Sequence, residues 1–280
     1  MDTSWQAGAL LWFAFFQCVY WATHFVSRMI SPVYRELSYY ERNYWCTCIA
    51  AIVHGAVLCI QLLPFFPGIL GKESGWMWQA GILDTRPEIQ AANICFFAYC
   101  THDLLCLVDR SVVNLPKIPK GDDIAFAVHH VCILFVWYSF LTESHGHIFA
   151  LPTMLTEVTA LFTNGHWLLK KWGLGSSVLF TINGVCMLVS WYYMRIWGYV
   201  TVVAIRLFEL RGEAFDPASE IFGRNMFLLV NWLAGCALQL FWGWKMTYMA
   251  LKMVGVLGPT KPKGKDGANQ KGTKPANKQS

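Results

Sequence analysis

Seven ionisable side chains lie inside stretches that otherwise suit hydrocarbon: His54 in CIAAIVHGAV, His102 and Asp103 in AYCTHDLLCLV, His129 and His130 in AFAVHHVCILFVWY, Glu157 in TMLTEVTALF and Arg195 in WYYMRIW. At the centre of a bilayer each costs about 2.5–3.5 kcal/mol when charged, so such groups face a bundle interior and have a partner or a task. Amides at Asn164, Asn183, Asn225, Asn231 and Gln239 add hydrogen-bonding capacity to the same stretches. A histidine is suited to acyl transfer, as base or as acyl-carrying nucleophile. A neutral imidazole is equally suited to bonding one helix to another. Consecutive helical residues diverge by about 100°, so His129 and His130 cannot share a direction: one can face a cavity while the other bonds a neighbouring helix. Asp103 requires a partner at its depth, either Arg195 or a histidine. Metal chemistry of the di-iron type would need HxxxH or HxxHH, and neither pattern occurs. Cys46-Thr-Cys48 is the one close cysteine pair, no further ligands follow it at suitable spacing, and no CxxC occurs, so the cysteines read as small core residues. No metal and no resident cofactor is expected.

The elements that must position these groups are membrane helices. Of the 280 residues 55% are hydrophobic and only 14% charged, against about 25% charged in an ordinary soluble domain. Spanning a hydrocarbon core takes about 20 mainly apolar residues. Seven apolar segments, near 8–30, 44–66, 91–108, 124–142, 147–169, 177–205 and 225–254, approach or exceed that length. The expected fold is therefore all-α, a polytopic transmembrane bundle of six to seven helices. The fifth segment carries Pro152, Glu157, Thr163, Asn164 and His166, which marks it as kinked, re-entrant or interior. The first apolar run lacks a basic leader and a small-residue cleavage site, so it reads as an anchor with the mature chain beginning near Met1.

With seven crossings, Arg28, Arg35, Arg42, Arg110, Lys170 and Lys171 gather on one side together with the lysine-bearing tail, and acidic residues offset the few cations opposite. The positive-inside rule then puts the C-terminus in the cytosol and the N-terminus outside it. Residues 1–39 hold the first helix, 40–254 the multi-pass domain, and 255–280 form a Lys-rich, disordered cytosolic tail. Trp76, Trp78, Trp172, Tyr192, Tyr193 and Trp197 read as belt residues at the headgroup level, and Gly75–Ile89 as a loop, with a luminal amphipathic cap as the alternative.

With the polar pattern in view, the anchors NYWCTCIAAIVHG, THDLL, AVHHVCILFVWY, LTEVTALFTNGHWLL and INGVCMLVSWYYMRIW, taken in order from Tyr40 to Lys252, resemble the TLC-domain family. That family includes the ceramide synthases, and the pattern is most similar to its small members. In the ceramide synthases the double histidine is followed by a His-Asp pair and two further acids; here those positions read Thr156, Glu157, Ala160 and Asn164. The resemblance implies a bundle around a lipid-sized cavity, with the polar residues near its cytosolic end and a role in lipid homeostasis and membrane composition. It also implies residence in the endoplasmic reticulum, with the plasma membrane as the alternative. On this reading the protein binds or senses a phospholipid or acyl chain. The alternative is an acyltransferase of ceramide-synthase-like type drawing on acyl-CoA, and the third reading is a lipid or small-molecule transporter. If it is an enzyme, His129, His130 and Glu157 are the candidate catalytic residues. His54, His102, Asp103, Asn164, Asn183 and Arg195 are the candidate cavity lining. The expected partner is membrane lipid, with no nucleic acid.

Overall fold

The computed structural model describes residues 4–70, 75–113, 121–143 and 146–253, and every regular element among them is helical. The tail from residue 254, with Lys72, Lys117 and Lys120, lies outside the described residues. One unit comprises Met1–Gly243; of the second, Trp244–Ser280, the described part is the helical stretch ending at Met253.

Five helical stretches are long and apolar enough to cross a membrane in one piece: Trp5–Ile30, Tyr39–Ile69, Pro87–Ser111, Asp123–Glu143 and Phe222–Lys252. The first belongs to α1 (Ser4–Ile30), which hands over to a short α2 (Pro32–Glu36). There Ser31 caps the amide of Tyr34 and Pro32 occupies a first-turn position that needs no donor. Helix α3 (Tyr39–Leu62) starts on a capping box in which Ser38 and Glu41 satisfy each other's backbone amides. It continues through a tight turn at Pro64 into α4 (Phe66–Leu70). After a single turn, α5 (Trp76–Gln79), come α6 (Pro87–Val113) and α7 (Gly121–Glu143).

The fifth and sixth predicted segments are composite. Helix α8 (His147–Leu155) and α9 (Val158–Lys171) are separated by a break at Thr156 and Glu157. Pro152 withholds the amide that would bond four residues back. The amides of Thr156, Glu157, Thr159 and Ala160 then reach only three residues back, a local tightening of the kind that marks hinges. Hydroxyls spaced three apart reinforce it: Thr156 donates to the Thr153 carbonyl at 2.7 Å and Thr159 to the Thr156 carbonyl at 2.7 Å. The sixth segment runs without interruption from α10 (Val178–Ser190) through a π-helix (Trp191–Val202) into α11 (Val203–Glu209). A one-turn α12 (Arg211–Ala214) leads to α13 (Phe222–Met253).

Helix α6 is the axis of the packing, flanked by α1, α3 and α7; α9 lies on α3, α10 on α9, and the π-helix on α8. Phe16, Leu58, Phe96, Trp137 and Leu151 meet in the main core. Outward faces carry Leu10, Leu11 and Trp21 on α1 and Val178, Ile182 and Val189 on α10, as lipid contact requires. At one end three helices are tied by polar bonds: Tyr39 and Asn43 of α3 donate to Asp109 of α6, and Asp123 of α7 accepts from Tyr40 and faces Arg110 at 3.6 Å.

The Gly75–Ile89 stretch, expected as a loop or an amphipathic cap, is partly helical and packs inward. Ala80 and Ile82 are buried with Ile148 and Ala214, and the Ala80 carbonyl accepts from Arg206 at 2.6 Å. Trp78 and Trp197 turn their indole N–H groups onto the carbonyls of Gly68 and Ile69, satisfying the end of α4.

Candidate functional site

Helices α7 and α8, the π-helix, α11, α12 and α13 surround a cavity of about 380 Å³, near the lower end of the range for small-molecule sites. Most of its wall is apolar, including Val128, Ile133, Phe149, Leu207, Leu228 and Leu238. Into this wall are set His129, Thr156, Glu157, Arg195 and Gln239.

Arg195 is held from three sides. Its Nε donates to Thr159 Oγ1 at 2.8 Å, its Nη1 donates to Gln239 Oε1 at 3.0 Å, and its guanidinium lies 4.5 Å from the centre of the Trp191 ring. Trp191 is anchored in turn by an indole N–H bond to the Gln239 carbonyl. The π-helix supplies this arrangement by widening the turn between Trp191 and Val202, and Thr201 follows it by bonding the Ile196 carbonyl five residues back. Glu157 sits in the break between α8 and α9, its Oε1 3.9 Å from Arg195 Nη2 and its Oε2 3.6 Å from His54 Nδ1. Both contacts are electrostatic, since neither separation is a hydrogen bond. The approach of α3 to this break depends on Gly55, where a Cβ would stand 2.9 Å from the Glu157 carbonyl. Gly235 does the same for α13, since a Cβ there would run into the Tyr199 hydroxyl.

The two adjacent histidines divide. His129 stands on the cavity wall, edge-on to Trp242, and makes no hydrogen bond among the described residues. Cys132, one turn further, lies on the same wall. His130 points to α6, with Nε2 3.0 Å from Asp103 Oδ2 and Nδ1 2.8 Å from the Phe126 carbonyl. A carbonyl only accepts, so Nδ1 must carry a proton, and a second proton is then required between Nε2 and the carboxylate. His130 is therefore committed on both nitrogens, and Asp103 has taken a histidine in preference to Arg195.

The remaining candidates are scattered. His54 is fully buried, stacks on Tyr99 with ring centres 3.8 Å apart, and has no hydrogen bond on either nitrogen among the described residues. His102 is enclosed by Phe13, Phe16 and Tyr20 and contacts Cys106 Sγ at 3.7 Å. Asn164 bonds its own helix at the Ala160 carbonyl, and Asn183 links α10 to α9 through the Phe162 carbonyl. Of the nine candidate residues, the cavity wall brings together His129, Glu157 and Arg195, with His54 directly behind Glu157. Sequence reasoning noted Gln239 only as one amide among several and did not single out Thr159. The one available signal for Gln239 was a buried-type amide in an apolar span. Among the described residues no group of three or more His, Cys, Asp and Glu side chains converges as metal ligands would.

The sequence profile of the TLC domain matches residues 5–248, starting ahead of Tyr40, where the motifs begin. The chain is 23% identical to Protein CLN8 of Rattus norvegicus over 199 residues, covering 68% of this chain and 63% of that one. It is 24% identical to Protein CLN8 of Canis lupus familiaris over 209 residues, 70% of this chain and 66% of that one. TLC domain-containing protein 4 of Homo sapiens is 24% identical over 187 residues, 66% of either chain. The chain thus spans 63–66% of the length of these relatives. No solved structure matches.

Proposed function

The chain belongs to the TLC-domain family of membrane proteins in lipid biology, and from that premise we propose that it holds a lipid acyl chain in the cavity between α7 and α13 as part of maintaining membrane composition. The observation that carries the reading is the cavity itself: a mainly apolar space of about 380 Å³ with a few polar side chains, Glu157, Arg195 and Gln239 among them, set into its wall. The proposed setting is the endoplasmic reticulum, with the C-terminus in the cytosol.

Native mass spectrometry of the detergent-purified protein tests this. A Leu228→Trp variant, which fills the cavity with a larger apolar side chain, is expected to lose co-purifying lipid at least tenfold while retaining its thermal midpoint within a few degrees. Equal lipid occupancy in the plugged and unplugged proteins would overturn the assignment.

A second reading, acyl transfer, is favoured by the placement of His129 alone. It is the histidine on the cavity wall with both ring nitrogens uncommitted, whereas His130 is occupied by Asp103 and Phe126. Incubation with labelled acyl-CoA is expected to leave label on the wild type and none on His129→Ala if this reading holds. Label on neither protein removes it and leaves binding as the function.

A further inference from the structure

The cavity also specifies the polar part of what it holds. Arg195 of the π-helix and Gln239 of α13 meet on its wall and are bonded to each other. Arg195 has five N–H groups; Nε and one on Nη1 are spent on Thr159 and Gln239, and Nη2 has only Glu157 at 3.9 Å. The bond to Arg195 fixes the orientation of the Gln239 amide, because the oxygen must face the guanidinium. The amide nitrogen is thereby turned away from Arg195, with no acceptor among the described residues, although the residue is only 4% exposed. An amide donor and spare guanidinium donors without a protein acceptor, on two residues that line one apolar cavity, suit an oxygen acceptor from a ligand, because donors left unpaired against an apolar ligand are costly.

The charge of that ligand follows from Glu157. It stands beside Arg195 as the opposite formal charge, so the pair presents donors without a net positive field. A carboxylate or phosphate entering here would meet the Glu157 carboxylate at close range, and an ammonium would meet Arg195. A carbonyl oxygen bears the lone pairs the donors need and no charge. We infer that Arg195 and Gln239 form a donor clamp for the carbonyl of an uncharged acyl lipid, such as an ester, thioester or amide, with its chain along the apolar wall lined by Ile133, Phe149 and Leu228. The inference rests on the cavity being a lipid site and adds which lipid class it selects.

Three single-chain probes of equal chain length separate the possibilities in a native mass spectrometry titration: monooleoylglycerol, oleate and oleoyl lysophosphatidate. The wild type is expected to bind monooleoylglycerol about tenfold more tightly than either anion. Gln239→Leu, which keeps the volume and removes the donor, is expected to bring the three within about threefold of one another without losing the chain. Equal affinities in the wild type, or a preference for either anion, overturn the clamp while leaving the cavity a lipid site. Binding of none of the three overturns both readings. The selectivity of the wild type decides the matter even if the variant does not fold.

Discussion

At the scale of single residues, the buried polar groups separate into partnered and unpartnered sets, and the two should respond differently to substitution. Asp103 and His130 form a closed pair, so Asp103→Ala strands an imidazole already committed to the Phe126 carbonyl. The expected cost is about 2 kcal/mol, read as a lower thermal midpoint in detergent. His130→Ala should cost a similar amount, and the double variant little more than either single one; strictly additive losses would show that the pair does not act as a unit. His54 is the contrasting case. With no hydrogen bond on either nitrogen among the described residues, replacement by Leu removes an unsatisfied group and is expected to change stability by less than about 1 kcal/mol. A drop as large as that of Asp103→Ala would mean that the Glu157 contact at 3.6 Å or the stack on Tyr99 outweighs the cost of the unsatisfied nitrogens. The divergence of His129 from His130 was legible from their adjacency alone. The choice of Asp103 as partner was not, because it depends on the rotation of α6 against α7.

At the scale of elements, the two composite segments carry the site, and they differ in how visible they were. The break at Thr156 and Glu157 was foreshadowed by Pro152 and the polar residues after it, since a proline in an apolar span must leave a carbonyl to be satisfied by other means. The π-helix left no such mark: Trp191–Val202 contains no proline, and its one glycine, Gly198, is unremarkable in a membrane helix. Gln239 was hidden for a similar reason, because α13 is 32 residues long and its facing side is set by tertiary contacts. Gly55 shows how tightly the break is held. Gly55→Ala places a methyl 2.9 Å from the Glu157 carbonyl, and the overpacking is expected to cost about 1–3 kcal/mol. The thermal midpoint reports that cost, and an unchanged midpoint would mean that the break yields to α3 freely.

At the scale of the whole molecule, five helices are long and apolar enough to cross in one piece; the six to seven crossings expected from the apolar pattern require one or both composite segments to traverse as well, and seven requires both. The two ends of the chain then lie on opposite faces. A glycosylation acceptor fused ahead of Met1 is expected to be modified in microsomes, and a tag after Ser280 to be cut by added protease; both tags on one face would remove a crossing. Helix α13 is joined to the rest of the bundle by side-chain contacts spaced along its length. Up to Gly243, Asn225 bonds the Ala214 carbonyl, Trp232 bonds the Tyr199 carbonyl, Arg224 faces Glu143, and Gln239 meets Arg195. Bonds spaced from Asn225 to Gln239 fix which face of α13 turns inward, so the rotation of this one helix sets where an occupant of the cavity meets apolar wall and where it meets amide.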